Sequence, residues 1–216
     1  MSGVFDPLLD PRAWFDPLLI PEAWFDPDLT LAAASPSVAE PVLLQATVIN
    51  LGPKTNEGRL VESVSLPWFE IMKELRRDPA FLHRIHWHTM EQLIAGAYER
   101  AEWDVVLTPR GKNDGGRDVI ATRRDFGSIC FFDQVKTFRP GRTVKPADVD
   151  AMLGVLSQTP NVSKGIVSTT ADFAPSILVN PAVTKFMPNR LELRNGPELH
   201  KWLVNIASAA NPTATP

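Results

Sequence analysis

The chain has 216 residues, of which 44% are hydrophobic and 22% are charged, and its formal net charge is −3. This length favours one well-buried domain with some tens of residues to spare, and no apolar run approaches the roughly 20 residues of a membrane helix, so membrane insertion is not expected. A single cysteine, Cys130, excludes an internal disulfide, and the N-terminus lacks a signal-peptide pattern, so a reducing cytoplasm is the expected location.

Charge is distributed unevenly along the chain. Residues 1–40 hold one basic and seven acidic side chains, a charge of −6, so the other 176 residues carry +3. Within this second part, nine Lys and Arg residues fall between Arg110 and Lys145. Such a density suits phosphate binding if the side chains share one face of the fold. The alternative is a set of scattered surface charges balanced by neighbouring acids.

Residues 1–34 are dominated by a ten-residue tandem repeat. The copies Phe5–Trp14 and Phe15–Trp24 share eight of ten positions, and a third copy fades after Phe25–Leu29. Two prolines in each full copy disfavour helices and sheet ladders. The aromatic and leucine content favours a docking segment that binds a protein partner, another copy of the chain or its own domain. The alternative is a disordered tail.

Composition divides the rest of the chain into three parts. Residues 35–60 are predicted to be a linker that contains one short strand, Leu43–Ile49. Residues 61–206 are predicted to form the packed domain, and residues 207–216 a disordered tail.

Two helices open the predicted domain. The first covers Pro67 to Leu75, with proline in its first turn, and stops before Asp78-Pro79. The second runs from Thr89, as N-cap, to Arg100. Its apolar residues recur at the i, i+3, i+4, i+7, i+8 spacing of a core-facing stripe, namely Met90, Leu93, Ile94, Ala97 and Tyr98.

Alternating polarity then predicts strands, and the third strand leads into a helical crossover. The strand that follows the crossover is expected to pair parallel to its neighbour. In chain order the elements are the strands Asp104–Thr108, Arg117–Thr122 and Ile129–Lys136, the helix Pro146–Ser157, the strands Gly165–Thr169 and Leu191–Leu193, and a final helix that opens at Pro197.

Three polar side chains are predicted to meet at the ends of two adjacent strands. Gln134 and Lys136 share one face of their strand because side chains alternate. Asp118 follows a glycine-containing loop on the neighbouring strand. A carboxylate and an amide oxygen can hold a hard cation such as Mg²⁺, and an ammonium can stabilise developing charge. These groups suffice for hydrolysis of a phosphodiester.

Two further acids are candidates for the same site. Glu91 lies on the flank of the apolar stripe of its helix, about 100° from Met90, where it either reaches the sheet edge or stabilises the helix N-terminus. Asp133 points away from Gln134 unless a bulge in the strand turns it toward the cation.

Four blocks of sequence together resemble the Mrr-type catalytic domain of restriction endonucleases, within the PD-(D/E)xK nuclease superfamily. They are MEQLIAGAYE, GKNDGGRDVIA, DQVK, and DVDAMLGVL followed by NVSKGIVSTTADFAP. The resemblance covers about residues 61–206. It implies an α/β fold, with a restriction-endonuclease-like core in which a central mixed β-sheet is flanked by helices, and a Mg²⁺-dependent DNA endonuclease that serves in prokaryotic restriction or anti-phage defence. Mn²⁺ is expected to substitute for Mg²⁺, and a homo-oligomer is expected.

The resemblance also assigns residues. Asp118 matches the metal-binding aspartate, Gln134 occupies the position of a superfamily Glu or Asp, Lys136 matches the catalytic lysine, and Glu91 matches an acid of the first core helix. We expect Asp118, Gln134 and Glu91 to hold the metal. Residues expected to contact nucleic acid are Lys112, Arg117, Arg139, Thr169 and Thr170.

Two other functions remain open from the sequence. Gln134 replaces a carboxylate, which is also what a non-cleaving DNA-binding or assembly subunit with the same fold would show. A nuclease of the same superfamily that acts on branched DNA or RNA is the second alternative.

Overall fold

The computed structural model describes residues 40–109, 116–125 and 127–209. The residues after Val38 form one compact unit. The N-terminal repeats, Lys112 and the last seven residues lie outside the described ranges, so the predictions made for them stay predictions.

A seven-stranded mixed sheet forms the centre of the unit. The strands in chain order are β1 Ile49–Lys54, β2 Arg59–Val64, β3 Asp104–Leu107, β4 Val119–Arg123, β5 Ile129–Lys136, β6 Thr143–Val144, β7 Lys164–Thr169, β8 Asp172–Phe173 and β9 Leu191–Arg194. The order in the sheet is β1-β2-β3-β4-β5-β7-β9, and β6 pairs with β8 separately. The first five strands pair antiparallel, whereas β5, β7 and β9 are parallel.

Helices cover both faces of the parallel part of the sheet. They are α1 Glu40–Gln45, α2 Leu66–Arg77, α3 Trp87–Arg100, α4 Pro146–Gln158, α5 Pro175–Leu178, α6 Pro181–Thr184 and α7 Gly196–Ala209, with a 3₁₀ helix at Pro79–Arg84. The crossover from β5 through α4 to β7 gives the parallel pairing that the sequence predicted.

Side-chain alternation in the sheet produces two hydrophobic cores. Val119 and Val135 pack with α2, α3 and α7 on one face, in a cluster that includes Trp68, Leu93 and Leu203. Ile120 and Phe132 pack on the other face with α4, α5 and α6, in a cluster that includes Met152, Ile177 and Val183. Successive residues of β4 and β5 therefore point into different cores.

The N-termini of α2 and α3 follow simple capping chemistry. Pro67 lies in the first turn of α2, where its missing N–H costs nothing. α3 begins two residues before the predicted N-cap Thr89, because His86 fills this role and its Nδ1 accepts a hydrogen bond from the His88 N–H at 3.4 Å.

Residues 40–64 differ from the sequence prediction. The strand predicted at Leu43–Ile49 is wrong: Glu40–Gln45 form α1, which opens with Pro41 in its first turn and buries Leu43. Strand pairing instead begins at Ile49, and its register with β2 shifts on both sides of Leu51. The packed unit thus starts earlier than Val61, and the β1–β2 hairpin extends the sheet beyond β3.

The predicted fold class is confirmed, since the structure is an α/β fold with a mixed central sheet flanked by helices. None of the helices in the described ranges is both long and apolar enough to span a bilayer.

Candidate active site

Asp118 and Gln134 meet where β4 begins and β5 ends. The β4–β5 register runs without interruption from Val119 opposite Asp133 to Arg123 opposite Ile129. Just before this register, the Asp118 N–H donates to the Asp133 carbonyl at 3.0 Å, so Asp118 lies beside the Asp133–Gln134 peptide of β5. The Asp118 side chain bends along the strand, and its Oδ2 accepts the Val135 N–H at 2.7 Å. The carboxylate is therefore fixed against the residue between Gln134 and Lys136.

The Gln134 amide is enclosed beside this carboxylate. It is 5% exposed, and within the described residues its Oε1 has no hydrogen-bond partner. Gly116 closes one side: a Cβ built there would lie 2.5 Å from Gln134 Nε2, and its φ of +71° also favours glycine. A buried oxygen that lacks a donor is available to a ligand, because leaving it unsatisfied costs free energy.

Lys136 ends β5 on the same face as Gln134, and its main chain is held by β7. Its carbonyl accepts the Thr169 hydroxyl at 2.8 Å and the Thr170 N–H at 3.2 Å. Its Nζ lies 3.3 Å from Oδ1 of Asp148, in the first turn of α4. The sequence analysis did not single out Asp148. The available signal was an acid three residues after Lys145, directly before an apolar run, which is a capping pattern.

Glu91 approaches the same end of the strands from the opposite face of the sheet. α3 runs antiparallel to β5, because Tyr98 contacts Asp133 at 3.0 Å while Trp103, after the helix, packs 4.6 Å from the Phe131 ring. Glu91 lies two turns before Tyr98, about 10.5 Å along the helix, and three strand residues also span about 10 Å. From Tyr98, Glu91 therefore lies in the direction in which β5 runs toward Lys136, and it is buried.

Asp133 faces away from the site and forms a buried cluster. Its Oδ2 accepts the Tyr98 hydroxyl at 3.0 Å and the Ser168 hydroxyl at 3.1 Å, and it lies 3.6 Å from Arg194. Burial raises the pKa of Asp133 to about 6, although Arg194, Ser168 and Tyr98 act in the opposite direction. β5 pairs with β7 from Phe131 to Lys136 without a register shift, so β5 itself has no bulge that would turn Asp133 toward Gln134.

The residues expected to contact nucleic acid divide into two groups. Arg139 is exposed just beyond β5, and the Arg117 guanidinium lies 5.1 Å from the Phe132 ring centre, on the face of Gln134. Thr169 and Thr170 are buried instead. The Thr169 hydroxyl bonds Lys136, and that of Thr170 accepts from the Phe138 N–H at 2.8 Å. The structure does not support phosphate contact by either threonine, because both hydroxyls hold the ends of β5 and β7.

The site chemistry fits a hard cation with few protein ligands. Among the described residues, no group of three or more His, Cys, Asp or Glu side chains is placed to hold a metal ion. The Asp118 carboxylate and the unsatisfied Gln134 oxygen are the ligand types that Mg²⁺ prefers, and Mg²⁺ commonly keeps several waters.

Comparison with known proteins gives three kinds of match. A family model for the Mrr catalytic domain, described as restriction endonuclease, matches residues 82–203, more than half of the chain. The uncharacterized protein y4cE of Sinorhizobium fredii is 31% identical over 83 residues, which are 38% of this chain and 21% of that protein. The chain thus matches only about a fifth of the length of this relative.

Two solved structures are also similar. The DNA modification-dependent restriction endonuclease AspBHI aligns with a TM-score of 0.40 and 15% identity, over 66% of this chain and 37% of that one. The MspJI restriction endonuclease in complex with a 27-mer oligonucleotide aligns with a TM-score of 0.41 and 16% identity, over 68% of this chain and 36% of that one.

Proposed function

The chain belongs to the Mrr-type restriction endonuclease family, and from this premise we propose that it is a metal-dependent endonuclease that hydrolyses phosphodiester bonds in DNA. Its cellular role would be restriction or anti-phage defence, in keeping with the family. Residues 5–29 would dock a protein partner or a second copy of the chain.

One observation carries the proposal: the Asp118 carboxylate is bonded to the Val135 N–H, between Gln134 and Lys136. A carboxylate, an amide oxygen that has no donor among the described residues, and a lysine on the same strand face as that amide thereby lie at the ends of two strands. A structural role for Asp118 alone would require neither the enclosed amide of Gln134 nor the lysine on the same face.

Each residue has a defined task in this mechanism. Asp118 and Gln134, joined by Glu91 from α3, would hold Mg²⁺ or Mn²⁺. When bound, the ion supplies positive charge that stabilises a phosphate under attack by water. The Val135 N–H fixes the Asp118 carboxylate, so the ligand is oriented before the ion binds. The neutral amide of Gln134 contributes one negative charge less than a carboxylate would, so binding of the free ion should be weaker.

Lys136 would stabilise the negative charge that develops on phosphate oxygens during in-line attack. Its strand position is secured by Thr169 and Thr170, so only the side chain needs to be oriented. The exposed Arg139, together with Arg117 and Lys112, would bind backbone phosphates on either side of the cleaved bond.

Cleavage assays on supercoiled plasmid, linear duplex, a four-way junction and RNA test the proposal. Asp118→Asn keeps an acceptor for the Val135 N–H but removes the charge, and Lys136→Ala removes the ammonium. We expect each to lower the Mg²⁺-dependent cleavage rate of duplex DNA by about 100-fold or more. Lys73→Ala, at an exposed position on α2, is the matched control and should cleave like wild type.

Different outcomes select different functions. Equal cleavage by wild type and both site variants would refute the catalytic assignment. Cleavage restricted to the junction or to RNA would select a different nuclease of the superfamily. Salt-dependent DNA binding by a wild-type protein that cleaves none of these substrates would identify a non-cleaving subunit, in which Gln134 marks a lost ligand.

A further inference from the structure

Asp148 connects two elements through its two carboxylate oxygens. Oδ2 accepts the Lys145 N–H at 3.2 Å and so closes the first turn of α4. Oδ1 lies 3.3 Å from Lys136 Nζ. Capping fixes the orientation of the carboxylate, and the Lys136 and Asp148 side chains are 29% and 27% exposed, which partly shields their pair from solvent.

Lys136 needs such a partner because only its main chain is held by the strands. Its ammonium sits on a flexible four-carbon stem with rotatable donors. A second carboxylate at this end of β5 belongs to Asp118, whose Oδ2 accepts the N–H of Val135, the residue before Lys136. An unrestrained Lys136 would be attracted to Asp118 and would compete with a cation for that carboxylate.

The two carboxylates lie on opposite sides of β5. Asp118 precedes β4, on one side of the strand. α4 packs on β7, on the other side, where a Cβ on Gly165 would meet Met152 and Leu156. Asp148 thus draws the ammonium toward β7 and away from Asp118.

We infer that Asp148 is a positioning residue of the active site: it holds the Lys136 ammonium on the α4 side, which keeps that ammonium from competing with the cation for the Asp118 carboxylate and orients it for the phosphate. This inference rests on the proposed function. It adds a residue whose task is to keep the lysine and the metal-binding carboxylate apart.

Asp148→Asn separates this role from helix capping, because asparagine can still accept the Lys145 N–H while it lacks the charge that binds Lys136. Asp150→Asn makes the same change at an exposed position of α4 and is the control. Acetylation of Lys136 by acetic anhydride, followed by mass spectrometry, reports how well the ammonium is held. Binding of Mn²⁺ to the DNA-free protein, measured by electron paramagnetic resonance, reports whether Lys136 competes with the cation for Asp118.

We expect Asp148→Asn to raise the acetylation rate of Lys136 and to weaken Mn²⁺ binding, each by roughly two- to fivefold, as befits an ion pair that is partly exposed. The cleavage rate at saturating Mg²⁺ should fall, while the melting temperature and the Asp150→Asn control stay at the wild-type values. In a Lys136→Ala background, Asp148→Asn should leave Mn²⁺ binding unchanged, because the competing ammonium is gone.

Three results would overturn the inference: equal acetylation of Lys136 in wild type and Asp148→Asn, weakening of Mn²⁺ binding that persists without Lys136, or faster cleavage by Asp148→Asn. The last would show that Asp148 sequesters the lysine. Failure of the wild type to cleave any DNA would refute the proposed function instead, and it leaves the acetylation and Mn²⁺ comparisons intact.

Discussion

Replacement of Gln134 by glutamate is the sharpest test of the metal site. The substitution keeps side-chain length and puts a second carboxylate next to Asp118, at a position where the present Oε1 has no donor among the described residues. If Gln134 is a ligand, the variant should bind Mg²⁺ more tightly than wild type. If Gln134 only fills space beside Gly116, the added charge should destabilise the folded protein to the same extent with or without metal.

The magnitude follows from the strand geometry. Asp118 lies beside the Asp133–Gln134 peptide, and side chains that neighbour each other across antiparallel strands have Cβ atoms about 5 Å apart. Two carboxylates at that separation repel by about 3 kcal/mol at an effective dielectric constant of about 20. The metal-free variant should therefore lose up to about 3 kcal/mol of unfolding free energy at neutral pH. A bound cation cancels this repulsion, so its dissociation constant should fall by at least about tenfold.

Thermal unfolding with and without Mg²⁺ measures both effects, and the Mg²⁺ concentration for half-maximal cleavage provides a second readout. Gln158→Glu, at the exposed end of α4, is the matched control and should show neither effect. A Gln134→Glu protein that is destabilised without metal, but gains no more from Mg²⁺ than wild type does, would refute the assignment of Gln134 as a ligand.

Three further predictions concern the surroundings of the site. Tyr98→Phe removes the buried hydroxyl that donates to Asp133, so urea denaturation should show a loss of about 1.5–3 kcal/mol; an unchanged midpoint would contradict this. The pKa of Asp133 is about 6 in the folded protein against an ordinary 3.8, so between these pH values the folded state retains a proton that the unfolded chain has released. The unfolding free energy should therefore fall by up to about 3 kcal/mol as the pH rises from about 4 to 6. This dependence on pH should be weaker in Asp133→Asn. Arg139→Gln should weaken DNA binding, and the salt dependence of the binding constant should fall by about the amount of one phosphate contact. Lys73→Gln should show neither change when binding is measured by fluorescence anisotropy.

The strand that carries the site was predictable because its chemistry is local. Period-two alternation alone places Gln134 and Lys136 on one face and Asp133 on the other, and the β4–β5 register agrees. The crossover helix predicted parallel pairing for β7 in the same way, from a rule that depends only on element order.

Features that depend on contacts between distant residues were missed. Asp148 carries a capping pattern, but its ion pair with Lys136 exists only because α4 folds back onto β7. Thr169 and Thr170 have hydroxyls that suit phosphate binding, and only the pairing of β5 with β7 reveals that these hydroxyls are already used. The run at Leu43–Ile49 is too short for its period to distinguish a helix from a strand.

The two faces of β5 explain why an amide can replace a carboxylate at Gln134 while an acid directly before it is retained. Asp133 is surrounded by a tyrosine, a serine and an arginine, so its charge is committed to joining α3, β7 and β9. Removal of the Asp133 carboxylate would leave the buried Arg194 guanidinium with less negative charge around it, which would destabilise the fold. A charge at Gln134 would lie near the Asp118 carboxylate, and among the described residues the Gln134 Oε1 has no hydrogen-bond donor. We therefore expect the Gln134 amide to make the metal-free protein more stable than a carboxylate would, and to bind the free ion more weakly. Comparison of wild type with Gln134→Glu measures both the unfolding free energy and the affinity for the ion.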